Sequence, residues 1–162
     1  MCQHPGVGLN NDIARSHLET LLERISGQEK AVPDAQGQYF VRTEGAGFFA
    51  RVEGEDVPVI RVFSVVAKDV AKSPELLESL NEINGALSFV RTMWSAGQVM
   101  IEGESIALST DLSEFTQICR TVAMASDHFG PQIVQQHGGK PFFEESKEAS
   151  YEPLEPKHPG YL

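Results

Sequence analysis

The apolar residues of this chain change their spacing in a fixed order, and that order leaves few folds open. Helical spacing gives way to three strand-like runs, returns for one helix, yields to two more strands, and ends in a long helix. The first helix is expected from about Asn11 to Ser26. Asn11 or Asp12 would cap it, and Ala14, Leu18, Leu21, Leu22 and Ile25 form its apolar stripe. Gly27 supplies a stop. Strands follow from Gly37 to Glu44, which holds Tyr39, Phe40 and Val41, at Phe48 to Glu53 and at Val57 to Ala67, with Gly45-Ala46-Gly47 as the first hairpin turn. Val59, Ile60, Val62, Phe63, Val65 and Val66 make the third strand apolar on both faces, so it should be central or covered by a partner.

Ser73-Pro74 opens the second helix, with Ser73 as N-cap and Pro74 where a missing N–H costs nothing. Leu76, Leu77, Leu80, Ile83 and Leu87 would be its buried face, and Asn84-Gly85 its end. Asn84 is either a terminal cap residue or the source of a specific bond into a neighbouring strand. Strand four is expected from Ser88 to Ser95 and strand five from Gln98 toward Leu108, with Gly103 as a bulge. Asp111 and Glu114 then form a capping box for the last helix, and Gly130-Pro131 should kink or end it. The fold class expected is α+β, in the order α-β-β-β-α-β-β-α, with helices packed on a five-stranded antiparallel sheet. Residues 1–10 read as a flexible N-terminus, 11–139 as one domain and 140–162 as a Pro/Glu-rich solvated tail.

Charge excludes some partners. The net charge of -10 and a pI near 4.9 repel phosphate backbones and anionic membrane surfaces, so neither nucleic acid nor membrane is expected as a partner. No apolar run approaches membrane-spanning length, and the first residues lack the pattern of a signal peptide. Cys2 and Cys119 form no metal-ligand spacing, which fits a reduced cytoplasm.

Catalytic and metal chemistry find little footing. His4, His17, His128, His137 and His158 show no helical zinc spacing and read as surface residues. Cys119 falls on the apolar stripe of the last helix with no base beside it, and no Gly-x-Ser-x-Gly elbow exists. No metal, cofactor or catalytic residue is expected. Glu102 and Glu104 share one side of strand five; they either line a solvated hairpin end, share a proton or bind a cation. Alternation puts Phe89, Arg91 and Met93 on one face of strand four, and Val90, Thr92 and Trp94 on the other. One face should rest on helices, and the other is a candidate contact surface.

Leu76-Leu77-Glu78-Ser79-Leu80-Asn81-Glu82-Ile83-Asn84 resembles the leucine-rich helix and N-x-x-N segment of the YbjN-like and type III secretion chaperone group. Val99-Met100-Ile101 followed by Asp111-Leu112-Ser113-Glu114-Phe115 is similar to the last strand and long helix of that group. The likeness spans about Asn11 to Gln136 and is nearest to the actinobacterial branch, which often carries such tails. It implies an acidic α+β protein, often dimeric, that binds peptide segments of a partner and has no catalytic residues to carry over. The expected function is therefore a non-enzymatic peptide- or protein-binding chaperone-like or regulatory module, and the expected state a homodimer. Val59, Arg61, Phe63, Phe89, Arg91, Met93 and Trp94 are the surface candidates: the apolar ones for burial, the arginines for acidic groups of the client. Phe142-Phe143 is expected to dock on the sheet as an internal mimic of a client. The alternative is a small-ligand sensor with a pocket between sheet and helices.

Overall fold

The computed structural model describes residues 6–43 and 47–145. The expectations for the first five residues, for Glu44, for the turn residues Gly45 and Ala46, and for the tail beyond Glu145 lie outside the described residues. Chain order is α1 (Gly6–Ser26), β1 (Tyr39–Arg42), β2 (Gly47–Glu53), β3 (Val59–Ala67), α2 (Pro74–Ala86), β4 (Val90–Ser95), β5 (Gln98–Ile106), α3 (Leu112–His137) and the short α4 (Phe142–Glu145). The strands form one antiparallel sheet in the order β1-β2-β3-β5-β4. The most apolar strand, β3, is its centre, as its two apolar faces require.

Each helix is anchored by the stripe its spacing sets. Ala14, Leu18, Leu21, Leu22 and Ile25 of α1 are buried, as are Leu76 and Leu80 of α2 and Phe115, Ile118, Cys119 and Val122 of α3. They meet Tyr39, Val41, Phe48, Ala50, Ile60, Val62, Val99 and Ile101 from one side of the sheet, which gives a single core. Burial raises the Cys119 thiol well above its ordinary range, so it packs and does not react. Tyr39 is likewise pushed up, first by burial and then by the bond its hydroxyl donates to Glu19 (2.6 Å). Ser73 and Asp111 cap α2 and α3, accepting from the amides of Leu76 (3.1 Å) and Glu114 (2.8 Å).

Several local expectations differ from the structure. α1 starts at Gly6, so neither Asn11 nor Asp12 is its cap; Asp12 instead faces Arg15 one turn on, at 3.7 Å. Leu77 is exposed, because the stripe through Leu76 and Leu80 suffices to seat so short a helix. α3 runs through Pro131 to His137. Pro131 is on the exposed side, where the missing N–H leaves no buried group unpaired on the core face, while Gly130 lets the helix rest against Val66. The bulge lies between Val65 and Ala67 of β3, not at Gly103, which stays in register with both Val62 and Val90. β4 begins at Val90, because Phe89 takes a positive φ of 68° and leaves the pleat.

Asn84 is one of the joints of the fold. It sits inside α2 and binds β4: its Oδ1 accepts from Thr92 N (2.6 Å) and Thr92 Oγ1 (3.0 Å), and its Nδ2 donates to Thr92 O (3.1 Å). Of its two readings, the bond into a neighbouring strand is the one realised. β4 is an outer strand, so this side chain occupies backbone groups that would otherwise invite another strand. His17 and His137 also link segments far apart in the chain and are half-buried rather than free on the surface. His17 meets Thr110 O (2.7 Å), and His137 meets Ser79 Oγ (3.0 Å).

Candidate functional site

With the core on one side, strand alternation presents a second set of side chains on the other. The register aligns Phe40, Phe49, Phe63, Glu102 and Arg91 in one row across all the strands. Beside it run Arg51, Arg61 and Glu104 on one flank, and Val65, Met100 and Met93 on the other. This face carries neither α1 nor α2 nor α3. It divides into an aromatic end over β1–β3 and a charged and methionine-bearing end over β5–β4.

The aromatic end is built by cross-strand contact. Phe40 and Phe49 lie 5.0 Å apart between ring centroids, and Phe49 stacks on Phe63 at 5.4 Å. The Arg51 guanidinium covers Phe63 at 5.0 Å. α4 crosses this end. Phe143 meets Phe40 at 5.7 Å, Phe142 meets Phe49 edge-on at 6.1 Å, and Lys68 Nζ stands 5.2 Å from the Phe142 ring. The start of the Pro/Glu-rich stretch therefore docks on the sheet, as expected of Phe142-Phe143.

The other end is a ladder of arginines and carboxylates. Arg61 donates from Nε (2.9 Å) and Nη2 (2.6 Å) to Glu104 Oε1 and lies 3.3 Å from Glu53 Oε2; Arg51 pairs with Glu53. Arg91 donates from Nε (2.9 Å) and Nη2 (2.7 Å) to Glu102 Oε1. Burial works against the charge of Arg61, but Glu104, Glu102 and Glu53 outweigh it and raise its pKa. Glu102 is only 1% exposed, so it does not line a solvated hairpin end. It is a buried carboxylate roofed by two arginines. Its Oε2 accepts no hydrogen bond and has Arg61 Nε as an ion-pair neighbour at 3.5 Å. Glu102→Gln should cost roughly 1–2 kcal/mol in urea unfolding, discounted because Arg91 is half in solvent.

Val59, Arg61, Phe63, Arg91 and Met93 share this face, and Phe89 stands at its margin, 77% exposed. Trp94 does not join them. It lies opposite Val99 on the helix-bearing side, packs against the core, and donates from Nε1 to Val70 O (2.8 Å). Phe63 is buried under its neighbours; Val59, Arg61 and Met93 are half-buried, and Phe89 and Arg91 are the exposed members, although both arginines are engaged by carboxylates. Sequence reading missed Phe40, Phe49, Arg51, Val65, Met100, Glu102 and Glu104 as parts of the same surface. Pairing the Phe48-Phe49 strand with β3 residue by residue would have found most of them.

A shallow depression of about 310 Å³ opens here, lined by Phe89, Val90, Arg91, Glu102, Gly103 and Glu104. It lies beside β4 and β5, not between sheet and helices. Among the described residues no group of three or more His, Cys, Asp or Glu converges to hold a metal ion, and no helix is long and apolar enough to cross a membrane.

No curated protein matches this chain. Its fold is similar to that of a chain in the crystal structure of the ExsC–ExsE complex, with a TM-score of 0.56 and 15% identity over 75% of this chain and 93% of the other. The family TY-Chap1, described as T3SS (YopN, CesT) and YbjN peptide-binding chaperone 1, matches residues 12–145, and the chain belongs to that family.

Proposed function

We propose that this protein is a non-enzymatic, chaperone-like module that binds an extended segment of a protein partner across the open face of its sheet. The observation that carries the reading is the distribution of side chains. All the long helices share one side, while the other side joins aromatic, methionine and arginine contacts on a rigid sheet. Aromatic and methionine groups supply burial, and Arg91, whose side chain is 55% exposed, supplies a charged contact. Binding on the face is favoured over binding at the edge of β4, because Asn84 already occupies the backbone of Thr92. The protein is expected to act in a reducing cytoplasm as a homodimer, an expectation that rests on its sequence and its resemblance.

A photoreactive amino acid at position 93 tests this reading. It should cross-link a discrete polypeptide in cells of origin, and Phe89→Ala, which removes a ring 77% exposed, should reduce that product at least about fivefold at unchanged thermal stability, as loss of a buried aromatic contact requires. Equal cross-linking from the exposed helix position Met124 would sink the assignment of the face. Native mass spectrometry of the untagged protein gives the stoichiometry: a dimer with one added polypeptide is the expected mass.

A further inference from the structure

We infer that residues Phe142–Glu145 are a built-in occupant of the client site, and that the client is recognised by a segment of the same chemistry: adjacent aromatic residues followed by acidic ones. This deepens the proposed function and rests on it. The chain itself shows what the aromatic end of the face accepts. Phe142 and Phe143 set their rings on Phe49 and Phe40, and Lys68 faces the Phe142 ring. The segment that seats there reads Phe-Phe-Glu-Glu. The surroundings suit acidic flanks although the protein as a whole is acidic, because Arg42 at the end of β1 and Lys68 beside the Phe142 ring stand at the aromatic end, while Arg51 is taken up by Glu53 and Phe63.

The seating is built, yet light enough to yield. Lys68 and Lys140 exchange backbone hydrogen bonds of 2.8 Å in both directions, which aligns the segment with the end of β3. Gly138 and Gly139, at φ of 79° and 86°, turn the chain out of α3 to reach this bridge. Gly139 passes so close to Lys68 O and Val70 that any side chain there would collide with them. Beyond the bridge the half-buried rings of Phe142 and Phe143 hold the segment, and a helix of four residues has little stability of its own. An occupant tethered this way competes through its high local concentration and gives way to a longer segment that also reaches Met93 and Arg91.

The test uses the full chain, labelled with nitrogen-15, and a synthetic peptide with the sequence of residues 140–147. In the double variant Phe142→Ala, Phe143→Ala the peptide should shift the amides of Phe49 and Phe63 and saturate at least about tenfold lower in concentration than with the wild type. Gly139→Val, which unseats the segment but keeps its rings, should also take up the peptide more tightly than the wild type. A peptide with both phenylalanines changed to alanine should shift nothing. Equal titration of wild type and both variants would overturn the inference, as would no titration in either variant. Both failures leave the cross-link from position 93 untouched, whereas loss of that cross-link with peptide competition intact would count against the proposed function alone.

Discussion

Gly103→Val should lower the unfolding free energy by about 3 kcal/mol, the upper range for forcing extra atoms into a packed interior. Gly103 is flanked by Glu102 and Glu104, whose side chains point to the open face, so its own missing side chain points toward the helices. A Cβ there would lie 2.8 Å from Ile118 Cγ2 and 3.0 Å from Val90 Cγ1. The backbone oxygen of Phe89 would stand at 3.2 Å. α3 thus rests almost directly on the backbone of β5, and valine would push it away. Gly85→Ala is the matched control. It sits in α2 with open space around its Cβ position, and alanine should stabilise by about 0.5–1 kcal/mol through helix propensity. Urea unfolding of both variants decides: a Gly103→Val protein within about 0.5 kcal/mol of wild type would refute this account of how α3 packs.

Asn84→Ala should cost about 2–3 kcal/mol, because it strips partners from buried polar groups without removing the groups. Thr92 is 4% exposed, and its N–H, C=O and hydroxyl all bond to Asn84; only the hydroxyl has a second partner, Leu80 O at 3.1 Å. Asn84→Asp keeps the acceptor and loses the donor to Thr92 O, so its loss should be smaller. The alanine variant also frees an outer strand to pair with another chain. Increased self-association on gel filtration should therefore accompany the fall in urea midpoint. A midpoint unchanged from wild type would mean that Asn84 is a mere terminal residue of α2.

Much of the architecture was legible because it rests on short-range regularities. The stripe from Ala14 to Ile25, the caps Ser73 and Asp111, and the order of helices and strands along the chain all follow from residue spacing and local chemistry. The site was legible in part. Alternation put Arg91 and Met93 on one face of β4, Val59, Arg61 and Phe63 were named as surface candidates with them, and the sheet brings all five to one surface. Alternation had put Trp94 with Val90 and Thr92, on the face the helices cover, and naming it beside Arg91 and Met93 as a surface candidate mixed the two faces of β4. The Trp94 indole N–H finds Val70 O only once β4 is laid beside β5 and the chain after β3 has turned back. Glu102 was misread for another reason. A glutamate in a sequence looks solvated, and only the cross-strand register puts Phe63 on one side of it and Arg91 on the other.

By itself the sequence determined the helices, the strands and the two-faced pattern of each strand, since these depend on neighbours a few residues apart. The tertiary structure decided which face the helices cover, where the arginines and carboxylates meet, and that the backbone of Thr92 is closed by Asn84. Those outcomes join residues far apart in the chain, such as Arg61 with Glu104 and Phe49 with Phe142. Their distances are set by strand register and by the close seat of α3 on Gly103, and no local preference carries that information.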